Sequence, residues 1–139
     1  MGWHVSPLFV EGNEFIENTN YLPILSKTLL EIDILSACAL IALDSGISLN
    51  WHKDDEYIKG VQSFRILWGL EVIEEENNFC FMQFKDSETN EVSTLNFKNK
   101  EFIIFDAMQE HRIQNDLSTS RTVLIMDYIS DLSKVNSIF

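Results

Sequence analysis

At 139 residues the chain has room for one domain, residues 1–139, and its 45% apolar content is enough to fill one core. A net charge of −12, with 10 basic residues scattered among 22 acidic ones, argues against nucleic acid as a partner, because phosphates are neutralised by clustered Lys and Arg. Five glycines and two prolines leave no flexible linker or low-complexity segment.

The opening Met1-Gly2-Trp3-His4 has neither a basic start nor an apolar run, so no signal peptide is expected. No apolar stretch approaches the roughly 20 residues that a bilayer demands. The expectation is a soluble, cytoplasmic protein with no membrane partner. Residues 1–19 alternate only weakly and end in the polar cluster Glu17-Asn18-Thr19-Asn20, which can cap a helix. Pro23 falls in a first turn, and Leu22, Leu25, Leu29 and Ile32 recur at helical spacing, which predicts a helix over residues 21–34.

Beyond that the helical period disappears. Strands are predicted at 37–43, at 47–52 after the turn Asp44-Ser45-Gly46, and at 64–72, 78–84, 92–97, 101–106 and 121–129. Residues 85–90 and 98–100 are polar breaks of hairpin type. A helix followed by short strands predicts a mainly-β sandwich or barrel. Cys38 and Cys80 both sit in apolar runs, which places them as reduced, buried thiols.

Three histidines are present, His4, His52 and His111. His52 closes a predicted strand and Asp54 follows two residues on, where an extended chain points side chains to one face about 6.6 Å apart. Together with His111, one carboxylate and two imidazoles make the facial triad of non-haem iron(II) oxygenases, whose open positions take an oxo-acid and dioxygen. The plainer alternative is a core histidine, a turn acid and a surface histidine, with Asp55 or Glu56 as further loop acids.

Arg121 begins a strand that is apolar on both faces. A guanidinium held there needs a negatively charged partner and fits a carboxylate with two parallel hydrogen bonds. That partner is either a bound oxo-diacid or a structural acid such as Asp106 or Asp127. Arg65 lies on the mixed face of its strand, in reach of a cosubstrate or an anionic substrate, or in solvent. Trp51 and Trp68 lie on strands beside the candidate site, with core packing the favoured role.

These residues in this order resemble the aspartyl/asparaginyl β-hydroxylase family of 2-oxoglutarate dioxygenases over residues 37–127. The stretch Leu43-Asp44-Ser45-Gly46-Ile47-Ser48-Leu49-Asn50-Trp51-His52 looks like the family's strand, turn and strand ending on a metal histidine. Phe64-Arg65-Ile66-Leu67-Trp68-Gly69-Leu70 looks like its R-x-H-x-G-L strand. Ile104-Phe105-Asp106, then His111, Asn115 and Arg121, looks like its FD…H-x3-N-x5-R block, and Val123-Leu124-Ile125-Met126-Asp127 like its closing strand.

The resemblance implies a double-stranded β-helix (jelly-roll, cupin-like) of eight strands, with Fe(II) as metal and 2-oxoglutarate as cosubstrate. By position, His52 and His111 would be metal ligands, Arg121 would hold the distal carboxylate of 2-oxoglutarate, and Arg65 would line the same pocket. Two departures stand out. Some members carry Gly where this chain has Asp54, and Leu67 replaces the usual histidine of R-x-H. The expected activity is hydroxylation of an amino acid, an Asp/Asn-type peptidyl residue or a related small molecule. The competing expectation is a non-enzymatic cupin-like binding module.

Overall fold

The computed structural model describes residues 2–10, 13–31, 35–54 and 63–129. Ten strands and two short helices follow in the order β1 (Trp3–Val10), β2 (Asn13–Glu14), α1 (Ile16–Thr19), α2 (Pro23–Leu30), β3 (Leu35–Leu43), β4 (Ser48–His52), β5 (Ser63–Glu71), β6 (Cys80–Lys85), β7 (Val92–Asn96), β8 (Phe102–Asp106), β9 (His111–Asn115) and β10 (Arg121–Ile129). They form a six-stranded sheet, ordered β2-β1-β3-β10-β5-β8, and a four-stranded sheet, ordered β4-β9-β6-β7. All pairings are antiparallel. From β3 onward the chain crosses between the sheets at every step but β6 to β7, which makes β3–β10 the eight strands of a double-stranded β-helix. β1 and β2 extend the larger sheet beyond β3.

The main core lies between the sheets, built from Leu43, Leu67, Met82, Phe84, Phe105, Ile113 and Val123. A second cluster of Leu8, Leu29, Cys38 and Leu124 seals helix α2 onto the outer face of the larger sheet. β10 is therefore buried on both faces: Arg121 and Val123 point between the sheets, and Leu124 points under the helix. That arrangement accounts for its unbroken apolar sequence. Both cysteines are free and buried as expected.

Helix α2 starts at Pro23, two residues later than the periodicity predicted, and the end of the predicted span, including Ile32, falls outside the described residues. No side chain caps it. The polar cluster instead supplies α1, and Asn18 donates to the Pro7 carbonyl at 2.6 Å. Three strands were invisible in the pattern, β1, the two-residue β2 and β9. β1 carries Pro7, which argues against a strand; the register shifts between Pro7 and Phe9, as a bulge allows. β9 reads His-Arg-Ile-Gln-Asn, with polar residues in both alternating sets, yet His111 and Asn115 are buried.

The faces of β5 are also assigned against first appearances. Its mixed face, Ser63, Arg65, Leu67 and Gly69, looks into the barrel, and the apolar residues Phe64 and Leu70 are partly exposed. Gly69 marks a close crossing. It donates to the Glu101 carbonyl and accepts from Lys100, and a Cβ there would lie 2.5 Å from the Lys98 carbonyl oxygen.

Candidate metal centre and anion pocket

β4 ends the smaller sheet and pairs only with β9 within it. Leu49 is opposite Ile113 and His52 is opposite His111, so β4 holds one more residue than β9 over this interval. The bulge restores the alternation. Leu49 and His52, three apart in sequence, both line the cavity between the sheets. Trp51 is left outside, beneath the Arg112 guanidinium at 5.4 Å, and Trp68 packs in the cluster under α2, so both tryptophans serve packing away from the site.

The two imidazoles face each other with ring centroids 4.3 Å apart. Each uses Nδ1 on a backbone carbonyl two residues earlier: His52 on Asn50 and His111 on Gln109, both at 2.7 Å. A carbonyl accepts only from a protonated nitrogen, so both rings keep Nδ1–H and turn the Nε2 lone pair toward the centre. There they meet Asp54, whose oxygens lie 3.8 Å from His52 Nε2 and 3.7 Å from His111 Nε2. One ligand atom from each residue falls within 4.8 Å of the other two. His111 is 1% exposed, and burial pulls its pKa below the ordinary imidazole value despite the Gln109 carbonyl and the Asp54 charge. Phe105 meets its ring edge-on at 5.0 Å. The neutral ring is the form that binds a metal.

Asp54 lies just past the end of β4. Its N–H donates to the Ala107 carbonyl at 3.1 Å, and its carboxylate accepts from Arg65 Nη1. Arg65 reaches across from β5, where it also grips Asp127 of β10 through Nε at 2.6 Å and Nη2 at 2.8 Å. Asp127 is thus the structural acid of this region, and it belongs to Arg65 rather than to Arg121. Asp55 and Glu56 fall outside the described residues.

Arg121 lines the same cavity as His52, Asp54 and His111 and is 2% exposed. No carboxylate among the described residues holds it. It stacks on the Phe97 ring at 4.6 Å beside the Cys80 sulfur, and among the described residues its Nε and Nη1 have no hydrogen-bond partner. Burial depresses its pKa and also raises the Cys80 thiol to about 11, against the lowering effect of the Arg121 charge. Buried donors on a cation are rarely left open, since each costs about 1–3 kcal/mol or more. The pair therefore marks a place for an anion. The donor set at the other end, two imidazole nitrogens and one carboxylate oxygen, suits a divalent first-row metal such as Fe(II).

Sequence reasoning missed two participants. Trp3 lines the cavity from β1, the strand that Pro7 concealed. The partnership of Asp127 with Arg65 could have been found only from the register that sets them opposite each other.

A family model described as aspartyl/asparaginyl beta-hydroxylase matches residues 1–131. No curated protein matches the sequence. Among solved structures, an oxidoreductase of the 2OG-Fe(II) oxygenase family from Burkholderia pseudomallei aligns at TM-score 0.64 and 12% identity, over 92% of this chain and 68% of that one. The Cupin_2 domain of an XRE family transcriptional regulator from Enterobacter cloacae aligns at 0.54 and 14%, over 92% and 97%. Peruvianin-I, a cysteine peptidase from Thevetia peruviana latex, aligns at 0.61 and 12% identity over 92% of this chain, which spans only 62% of its length. At such identities the likeness is one of fold: these are cupin and jelly-roll neighbours of the barrel described above. Among the described residues no helix is long and apolar enough to cross a membrane.

Proposed function

Since the chain belongs to the aspartyl/asparaginyl β-hydroxylase family, we propose that it is a hydroxylase dependent on Fe(II) and 2-oxoglutarate, with His52, Asp54 and His111 as metal ligands and Arg121 as the anchor of the cosubstrate's distal carboxylate. The observation that carries this reading is the Arg121 guanidinium, buried with two open donors in the cavity that the three ligands share.

Charge supports it. With the imidazoles neutral, as metal binding requires, Asp54 and Asp127 cancel Arg65 and Arg121. One divalent cation and one dianion then enter without leaving net charge in the cavity, as Fe(II) and 2-oxoglutarate would. When bound, the metal and cosubstrate supply the oxidation of an unactivated C–H bond by dioxygen, with 2-oxoglutarate leaving as succinate and CO2. The protein's own residues do three things. The Nδ1 contacts of the two histidines fix their tautomers, Arg121 orients a carboxylate through two parallel hydrogen bonds, and Leu49, Leu67, Phe105 and Val123 exclude water. Arg65 lines the cavity with Nε and Nη2 on Asp127 and Nη1 on Asp54. The substrate class is an amino acid, an Asp/Asn-type peptidyl residue or a related small molecule.

Leu67 favours the second reading, a cupin-like binding module, because it puts an apolar side chain where the family pattern has a histidine. Succinate release from 2-oxoglutarate, Fe(II) and oxygen without a prime substrate separates the two. A hydroxylase turns over slowly in this assay. A binding module releases no succinate at any iron concentration, and that result would sink the proposal.

A further inference from the structure

Arg65 makes more contacts than a surface ion pair and fewer open donors than a cosubstrate anchor. Its side chain is 13% exposed, and the Asp127 side chain 5%. The two residues are register partners on β5 and β10, so Asp127 meets the guanidinium edge-on and holds Nε and Nη2 together. This fixes the plane of the fork. Nη1 then donates to the carboxylate of Asp54. Asp54 needs such a hold, because it lies beyond the last residue of β4, where strand pairing no longer sets its side chain.

The charge order along this line is acid, base, acid. An arginine alone against Asp54 would neutralise it and compete with an incoming cation. Asp127 on the far side returns the negative charge, so that the row as a whole still attracts a divalent ion. A carboxylate has about four acceptor positions, so Asp54 can keep its bond to Arg65 and still offer a lone pair to a metal.

Resting on the metal site proposed above, we propose that Asp127 and Arg65 are a positioning pair for Asp54, setting the orientation and the charge of the carboxylate that completes the metal centre. Neither touches the ion. Arg65 is therefore tied to the metal end of the cavity, and Arg121 alone serves the anion end. Removal of either member loosens Asp54 and weakens metal binding by about ten- to a hundredfold, the usual effect of losing a group that orients a ligand.

The test uses the metal-free full chain titrated with Mn(II), and the visible spectrum of its Co(II) form, neither of which needs turnover. Asp127→Asn preserves shape and removes the charge, and Arg65→Lys preserves charge and removes the fork. Folded Asp127→Asn should bind Mn(II) at least tenfold more weakly and show a changed Co(II) spectrum. Arg65→Lys should fall between it and wild type. A purely structural pair would lower Tm and leave both metal readouts of the folded protein unchanged; that outcome overturns the inference. Should Asp127→Asn fail to fold, Arg65→Lys decides by the same criterion, and Mn(II) affinity within twofold of wild type overturns it. Wild-type protein that binds neither Mn(II) nor Co(II) overturns the metal site itself and this inference with it. Wild-type binding with unaffected variants overturns only the positioning role.

Discussion

His52 and His111 stand directly opposite each other on β4 and β9, each with Nδ1 on the carbonyl two residues before it and Nε2 turned toward Asp54. The same backbone device is used twice, so the two lone pairs are aimed before any ion arrives. Metal binding then costs little side-chain ordering.

The double variant His52→Ala, His111→Ala should lose Fe(II) and Co(II) binding entirely while keeping the β-sheet circular dichroism of the wild type. Metal content after dialysis, measured by mass spectrometry, reads the first part. Retention of stoichiometric metal would place the centre elsewhere.

Arg121 predicts opposite signs for binding and stability. Arg121→Lys keeps a charge but loses the fork, and 2-oxoglutarate should bind tenfold or more weakly, since a charge-assisted hydrogen bond contributes about 1.5–3 kcal/mol. Arg121→Met removes a buried cation that has no carboxylate partner among the described residues. It should abolish 2-oxoglutarate binding yet stabilise the ligand-free protein by about 1–4 kcal/mol, as replacement of buried charge by a well-packed apolar side chain often does. Calorimetry and thermal melting on one sample check both.

Asp54→Ala separates a ligand from a turn acid. A lost ligand weakens Fe(II) binding and cuts succinate formation severely, with Tm little changed. A lost cap lowers Tm and leaves turnover per folded molecule intact. Full succinate formation by this variant would reduce the centre to two histidines.

Gly69→Ala should destabilise the fold by about 1–3 kcal/mol, because its Cβ would lie 2.5 Å from the Lys98 carbonyl, which is backbone and cannot swing aside. Urea denaturation measures it. A variant as stable as wild type would show that the β7–β8 connection shifts freely.

Cys38 and Cys80 should resist iodoacetamide in the native protein. Burial raises the Cys38 thiol to about 12 and the Cys80 thiol to about 11, so at pH 8 about one thiol in a thousand or fewer is ionised. Mass spectrometry after brief exposure should show unmodified native protein and two labels on the unfolded chain.

Much of the barrel could be read from the chain because its strands are apolar runs broken by polar turns, and β3, β4, β5, β6, β7, β8 and β10 lie close to their predicted positions. What could not be read lies where buried polar residues or an irregularity interrupt the pattern. β9 carries His111 and Asn115 toward the interior, which erases its alternation. In β4 a simple two-residue period cannot put both Leu49 and His52 inside, and only the pairing with β9 reveals the extra residue. The three candidate ligands were legible from the His-x-Asp spacing and the His111-to-Arg121 interval, and Arg121 because an apolar strand follows it. The partners of Arg65 were not, because Asp127 is distant in sequence and meets it only through the β5–β10 register.

The position of β4 at the margin of the smaller sheet would give a bound metal a mechanical part. Among the described residues β4 is hydrogen-bonded within its sheet to β9 alone, and the bulge interrupts even that ladder. An ion held by His52 and Asp54 on one side and His111 on the other would act as a rivet across this interrupted seam. Chelation should accordingly be felt first as faster amide exchange along residues 48–52, while β3, β5 and β10, sandwiched between the core and helix α2, keep their protection.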